Sequence, residues 1–196
     1  MAYHSSNHDK HKSGNPVVQS LLRRYFSVLE AMVLARRPTK VLDVGCGEGF
    51  TASFLRSLPM TFDYLGVDLN GAAVAEARLQ NPGMRFEVGD VRELGQRADL
   101  VVCLEVIEHL DDPTRGFEML ARCCDDRVIV SVPWEPWFRL GNLARGKYLD
   151  RLGNHPEHLQ QFTPSSLRAS MAAEFDDVEV VTSFPWVFAS GRPKRR

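Results

Sequence analysis

Apolar residues recur along this chain with two different periods. Val17, Leu21, Leu22, Tyr25, Leu29, Met32 and Val33 follow one another at helical spacing. The stretch "PVVQSLLRRYFSVLEAMVLARR" (16–37) is therefore predicted to be an amphipathic helix that stops before Pro38. "KVLDVG" (40–45) is a short apolar run into glycine and reads as a strand, "EGFTASFLRSL" as a helix, and "DYLGVDL" (63–69) as a second strand. An alanine-rich helix, "AAVAEARLQ", is stopped by "NPG". "RFEVGD" (85–90) and "DLVVCLE" are a third and a fourth strand. "DPTRGFEMLARCC" is a helix with Asp112 at its N-cap and Pro113 at its first position, and "RVIVSVP" (127–133) is a fifth strand. "SSLRASMAAEF" is the last helix, and "VEVVTSF" and "WVFASG" close the chain.

Strands that alternate with helices and are apolar on both faces imply a parallel sheet covered on both sides. The two closing strands have almost nothing between them and must be antiparallel neighbours. The expected fold is α/β: a doubly wound, mostly parallel, Rossmann-like seven-stranded sheet with an antiparallel C-terminal hairpin. It is expected as one domain over residues 1–196, with a polar flap at 1–15, the helix at 16–37 and an insertion on the substrate side at 134–163. Ligands of such sheets bind beyond the carboxyl ends of the strands.

Composition narrows the function classes. A chain of 196 residues supports one real core, and 44% hydrophobic with 25% charged residues is ordinary for a globular protein. A formal net charge of −1 gives no global field for nucleic acid or an anionic membrane. The run "RPKRR" reads as a solvated end. Cys46, Cys103, Cys123 and Cys124 form neither a C-x-x-C pair nor a disulfide framework. With no apolar signal-peptide core and no membrane span, the expectation is a cytoplasmic, reduced protein.

The chemistry begins at "VLDVGCGEGF", where Gly45, Gly47 and Gly49 follow the first strand. The spacing is G-x-G-x-G, not the G-x-G-x-x-G of dinucleotide binders, and it lacks the G-K-[ST] ending of a P-loop. Asp43, just before the turn, would repel a pyrophosphate and suits a ligand that carries positive charge. Asp68 ends the second strand, where a carboxylate accepts ribose hydroxyls. Asp90, after the third, offers an acceptor to an adenine amino group. With the glycine turn, these three acids at successive strand ends form one joint signal.

On these residues, together with "ADLVVCLEVIEHLDDP" and "VIVSVP", the chain resembles the class I S-adenosylmethionine-dependent methyltransferases, in the broad group holding ubiquinone-type and other small-molecule enzymes. The resemblance covers roughly residues 40 to 133. It implies S-adenosyl-L-methionine as cofactor, with Asp43, Gly45, Cys46 and Gly47 around its methionine part and Asp68 on the ribose. Leu69 would pack on adenine, Asp90 and Val91 would bind the adenine edge, and Leu104 and Glu105 would line the methionine side.

"DLVVCLEVIEHLDD" delivers a cluster of charge at the end of the fourth strand. Asp111 or Asp112 is accounted for as a helix cap, whereas Glu105, Glu108 and His109 need another reason. Their separations of three and four would put them on one face of a helical turn, close enough to share a cation. The E-x-x-E-H run resembles the metal-ligand motif of ubiquinone-biosynthesis O-methyltransferases and of small-RNA terminal 2′-O-methyltransferases. In that comparison His158, in "EHLQQFT", would be the fourth ligand, with His155 a second candidate. A divalent cation (Mg, Mn or Zn) on Glu105, Glu108, His109 and His158 would lower the pKa of a coordinated hydroxyl. Two alternatives stay open: metal-free catalysis by His109 or His158 with Glu108 beside them, and purely structural histidines.

The insertion carries Trp134, Trp137, Phe138 and Tyr148 interleaved with Arg139, Arg145, Lys147 and Arg151. That mixture suggests a small-molecule or lipid-like acceptor with an apolar body and an anionic group, methylated at oxygen. Peripheral contact with a membrane surface is a further reading of the same pattern. Two other functions stand beside it: a metal-dependent RNA 2′-O-methyltransferase, disfavoured by the near-neutral charge, and a non-catalytic subunit that only binds the cofactor.

Overall fold

Asn15 accepts a hydrogen bond from the Val17 N–H and so caps helix α1 (Pro16–Leu34), whose first residue is the proline. Leu22, Tyr25, Leu29 and Val33 form its buried stripe, as the periodicity required. The computed structural model describes residues 14–135, 137 and 160–195. Most of the expected flap and of the expected insertion lies outside the described residues.

Seven strands form one sheet in the order β3-β2-β1-β4-β5-β7-β6. They are β1 (Lys40–Val44), β2 (Asp63–Asp68), β3 (Arg85–Val88), β4 (Ala98–Leu104), β5 (Cys124–Pro133), β6 (Phe175–Ser183) and β7 (Trp186–Pro193). The doubly wound order and the closing hairpin match the sequence expectation. The chain divides into two compact units, residues 1–102 and 103–196.

In the first unit β1 pairs in parallel with β2 and with β4, and β2 with β3. Four of the five β1 residues are buried, the signature of a strand covered on both faces. Helices α2 (Phe50–Arg56) and α3 (Gly71–Gln80) supply the crossovers. Asp99, at the start of β4, stitches the strand beginnings together. Its carboxylate accepts from the Thr39 N–H, the Thr39 hydroxyl and the Lys40 N–H, each at 2.8 Å. A one-turn helix, α4 (Val91–Leu94), follows β3 and was not anticipated; Asp90 caps it through the Arg92 N–H.

In the second unit, β5 pairs antiparallel with β7, and β7 with β6. Helix α5 (Pro113–Cys123) has Asp112 as its N-cap, accepting from the Thr114 and Arg115 N–H groups, as expected. Two boundaries differ from expectation. Strand β5 starts at Cys124 because α5 passes straight into extended backbone without a turn. Helix α6 (Pro164–Met171) ends four residues early, and Phe175 to Asp177 join β6 through a bulge before Glu179.

The basic C-terminal run is not simply solvated. Arg192 lies in β7 and pairs with Asp126 at 3.6 Å. The Lys194 ammonium donates to the carbonyls of Ala172 (2.7 Å) and Ala173 (3.1 Å), where a cation complements the C-terminal end of α6. Among the described residues, no helix is long and apolar enough to cross a membrane.

Candidate functional site

The register of β1 on β2 decides what surrounds the glycine turn. Asp43 pairs with Gly66 and Val41 with Tyr64, so Asp43, Tyr64 and Gly66 share one face. The absence of a side chain at Gly66 leaves room for Phe86, whose ring packs edge-on against Tyr64 with centroids 5.6 Å apart. The Tyr64 hydroxyl donates to Asp43 Oδ2 at 2.6 Å.

Asp43 is 1% exposed. Burial pushes its carboxyl up to about 7, against the lowering effect of the Tyr64 hydrogen bond, and the negative charge of Asp68 adds to the rise. The same burial drives the Tyr64 phenol well above its ordinary value. The Cys46 thiol is raised too, first by burial and then by Asp43 and Asp68, so it is held as an inert thiol rather than a nucleophile.

After Val44 the chain turns sharply. The Gly45 and Cys46 N–H groups both donate to the Val67 carbonyl, at 2.8 and 3.1 Å. Gly47 has φ +52, and a Cβ built on it meets nothing within 4 Å, so its backbone faces open space. Gly49, at φ +80, precedes α2 and has no side chain with which to cap it.

Asp68 braces this turn. Oδ2 accepts from the Gly47 N–H at 2.9 Å and Oδ1 from the Asn70 N–H at 2.8 Å. Leu69 beside it is 75% exposed, an apolar side chain with no cover from the protein. Asp90 accepts from the Arg92 N–H and from its guanidinium, whose hydrogen bond holds the carboxyl below its ordinary range. Val91 next to it is buried. These residues fit an adenosyl-sulfonium ligand: an open glycine backbone, carboxylates that favour a cation, and a bare apolar side chain for a base.

In the second unit, Leu104 is buried at the end of β4. Glu105 follows in left-handed backbone, φ +59, with its N–H donating to the Ser131 carbonyl at 3.0 Å. The helical face expected to join Glu105, Glu108 and His109 does not form. Only Ile107–His109 make a turn, and it is a 3₁₀ turn. Glu108 points inward at 1% exposure, and its carbonyl accepts from the Gln160 N–H, whereas His109 is exposed. Among the described residues, no group of three or more His, Cys, Asp or Glu side chains is arranged to hold a metal ion. His158 and His155 lie outside the described residues, as do Phe138, Arg139, Arg145, Lys147, Tyr148 and Arg151. Trp134 and Trp137 each pack edge-on against Phe184, with centroids 6.4 Å apart.

Sequence reasoning missed two residues that shape the turn. Tyr64 gave no signal of this role, because only the register of β2 on β1 puts its hydroxyl on the face of Asp43. Asn81 carried no signal beyond that of a helix stop.

A methyltransferase domain model matches residues 18–179 of this chain. The chain belongs to that family. Within it, the strand order and the closing antiparallel hairpin are those of the class I S-adenosylmethionine-dependent methyltransferases. Trans-aconitate 2-methyltransferase of Deinococcus radiodurans is 36% identical over 96 residues, 48% of this chain and 36% of the relative. Ubiquinone biosynthesis O-methyltransferase of Alkalilimnicola ehrlichii is 38% identical over 93 residues, 42% of this chain and 36% of the relative. The match thus spans well under two thirds of the length of either relative.

Among solved structures, magnesium protoporphyrin IX methyltransferase from Synechocystis PCC 6803, with bound S-adenosylhomocysteine, superposes with a TM-score of 0.69. The alignment covers 97% of this chain and 95% of that one at 18% identity. The plantazolicin methyltransferase BpumL gives a TM-score of 0.72 over 97% of this chain and 88% of its own, at 15% identity. At these identities the likeness is one of fold.

Proposed function

We propose that this protein transfers a methyl group from S-adenosyl-L-methionine to the oxygen of a small-molecule acceptor. One observation carries the reading. The turn after β1 has three glycines in left-handed backbone, with Asp43 and Asp68 against it and an exposed Leu69 beside it. A diphosphate would be repelled there, whereas a cationic nucleoside is favoured.

In this reading the backbone of Gly45, Cys46 and Gly47 surrounds the methionine part, and Asp43 supplies a negative field beneath it. Asp68 takes the ribose hydroxyls with the lone pairs that its two backbone hydrogen bonds leave over. Leu69 covers the adenine, and Asp90 and Val91 meet its edge. The bound cofactor supplies a methyl group already activated by the sulfonium. The protein's part is therefore alignment, together with removal of the acceptor's proton. His109, exposed on the turn after β4, is assigned to take that proton.

The names of the relatives favour a small acceptor, trans-aconitate in one and a step of ubiquinone biosynthesis in the other. The aromatic trio of Trp134, Trp137 and Phe184 favours one with an apolar body. The test is calorimetric titration with S-adenosylhomocysteine, then methyl-labelled cofactor offered to a panel of phenols and carboxylic acids. Saturable binding and label on oxygen, as an alkali-stable ether from a phenol or an alkali-labile ester from a carboxylic acid, are the expected results. Failure to bind the homocysteine ligand, with binding of a nicotinamide dinucleotide instead, would sink the proposal.

A further inference from the structure

Asn81 follows α3 and is 0% exposed. Its carboxamide is fully engaged. Nδ2 donates to the Gly49 carbonyl at 3.0 Å and to the Ala77 carbonyl at 3.1 Å, and Oδ1 accepts from the Ser53 hydroxyl at 2.7 Å. Gly49 is the third glycine of the turn, and Ser53 lies one turn into α2. The Asn81 backbone is tied down as well, donating to the Ala77 carbonyl at 3.0 Å and accepting from the Met84 N–H at 3.2 Å. A Cβ on Gly49 would lie 2.6 Å from Asn81 Nδ2 and 3.0 Å from the Ala77 Cβ. The glycine is therefore demanded twice, by its left-handed backbone and by this close approach.

Few side chains answer that environment. Two carbonyl oxygens and one hydroxyl donor converge on a single group, and a carboxamide satisfies all three. A carboxylate would face two carbonyl oxygens with no proton, and an alkyl group would leave them buried and unmet. Ending α3 does not require an amide, because Pro82 and Gly83 already stop it.

We propose that Asn81 is a positioning residue for cofactor binding. Its buried carboxamide clamps the Gly49 carbonyl and the first turn of α2, and so holds the glycine turn in the form that receives the methionine end of the nucleoside. Complete burial keeps Asn81 itself out of reach of the ligand. This inference rests on the cofactor reading given above.

The experiment is calorimetric titration of the full chain with S-adenosylhomocysteine. It compares the unaltered protein with Asn81→Asp, Ser53→Ala and Asp99→Asn, the last a control destabilised at the far end of the strands. Asn81→Asp is expected to bind about tenfold more weakly at pH 8. Relative to the unaltered protein, that gap narrows at pH 5.5, where a protonated carboxyl again donates to the Gly49 carbonyl. Ser53→Ala, which frees the amide to turn, weakens binding about threefold. Asp99→Asn keeps full affinity. Unchanged affinity in both Asn81→Asp and Ser53→Ala overturns the clamp. So does an Asn81→Asp deficit that is the same at both pH values and is shared by Asp99→Asn. Should Asn81→Asp fail to fold, Ser53→Ala decides alone. Absence of binding by the unaltered protein would instead bring down the cofactor reading, and the clamp with it.

Discussion

A carboxyl group buried within a sheet is costly unless something meets it, and at Asp43 that something is the Tyr64 hydroxyl. The folded-state value of about 7 lies above the unfolded value near 3.8. Asp43 therefore contributes stability that is complete below the unfolded value and is lost as pH rises through about 7. A cationic ligand needs the ionised form, so cofactor affinity should rise over the same interval. Tyr64→Phe removes the hydrogen bond that favours ionisation. Its affinity profile, followed by titration from pH 6 to pH 9, is expected to shift to higher pH than that of the unaltered protein. An unshifted midpoint would mean that Asp43 does not sense the ligand. Asp68→Ala removes the acceptor for both Gly47 and Asn70, and is expected to weaken S-adenosylhomocysteine binding about tenfold or more. His109→Ala, by contrast, should lower kcat about a hundredfold with the cofactor Kd unchanged, if His109 takes the acceptor's proton.

Elements are held at their ends in this protein, and there stability separates from function. Asp99 joins the start of β4 to the start of β1 through three hydrogen bonds. Burial pushes its carboxyl up, but the bonds from Thr39 and Lys40 outweigh that and leave it below its ordinary value. Its contribution is therefore present above the unfolded pKa and fades as pH falls through the lower folded one. Asp99→Asn is expected to cost about 1–3 kcal/mol at neutral pH by denaturant titration, with a smaller difference in acid. Element identity was largely readable from periodicity. The misplaced boundaries are β5 and β6: Cys124 and Phe175 close helical patterns in sequence yet open strands, and Phe175 and Asp176 pair with Pro193 and Arg192. Strand pairing is a long-range reward that local periodicity does not contain.

Across the whole molecule, the strand order carries the glycine turn and the acids at the ends of β1, β2 and β3 in the first compact unit. Ligand that binds only the folded state raises apparent stability, by about 2.7 kcal/mol at a hundred times Kd. For a chain of this size that corresponds to a Tm increase of roughly 5–10 °C with saturating S-adenosylhomocysteine, measured by calorimetry. The sequence alone determined the fold class, the glycine turn and the three acids, because strand periodicity, glycine backbone freedom and carboxylate charge are properties of local residues. Tertiary structure decided the rest. Tyr64 meets Asp43 only through strand register, and Asn81 reaches Gly49 across 32 residues. Glu105 does not share a helical face with Glu108 and His109, because it sits in left-handed backbone before a short 3₁₀ turn that starts only at Ile107. In the first two cases the deciding contact joins residues far apart in sequence, and in the third the turn itself is tied to Ser131 and Gln160, which local spacing does not reveal.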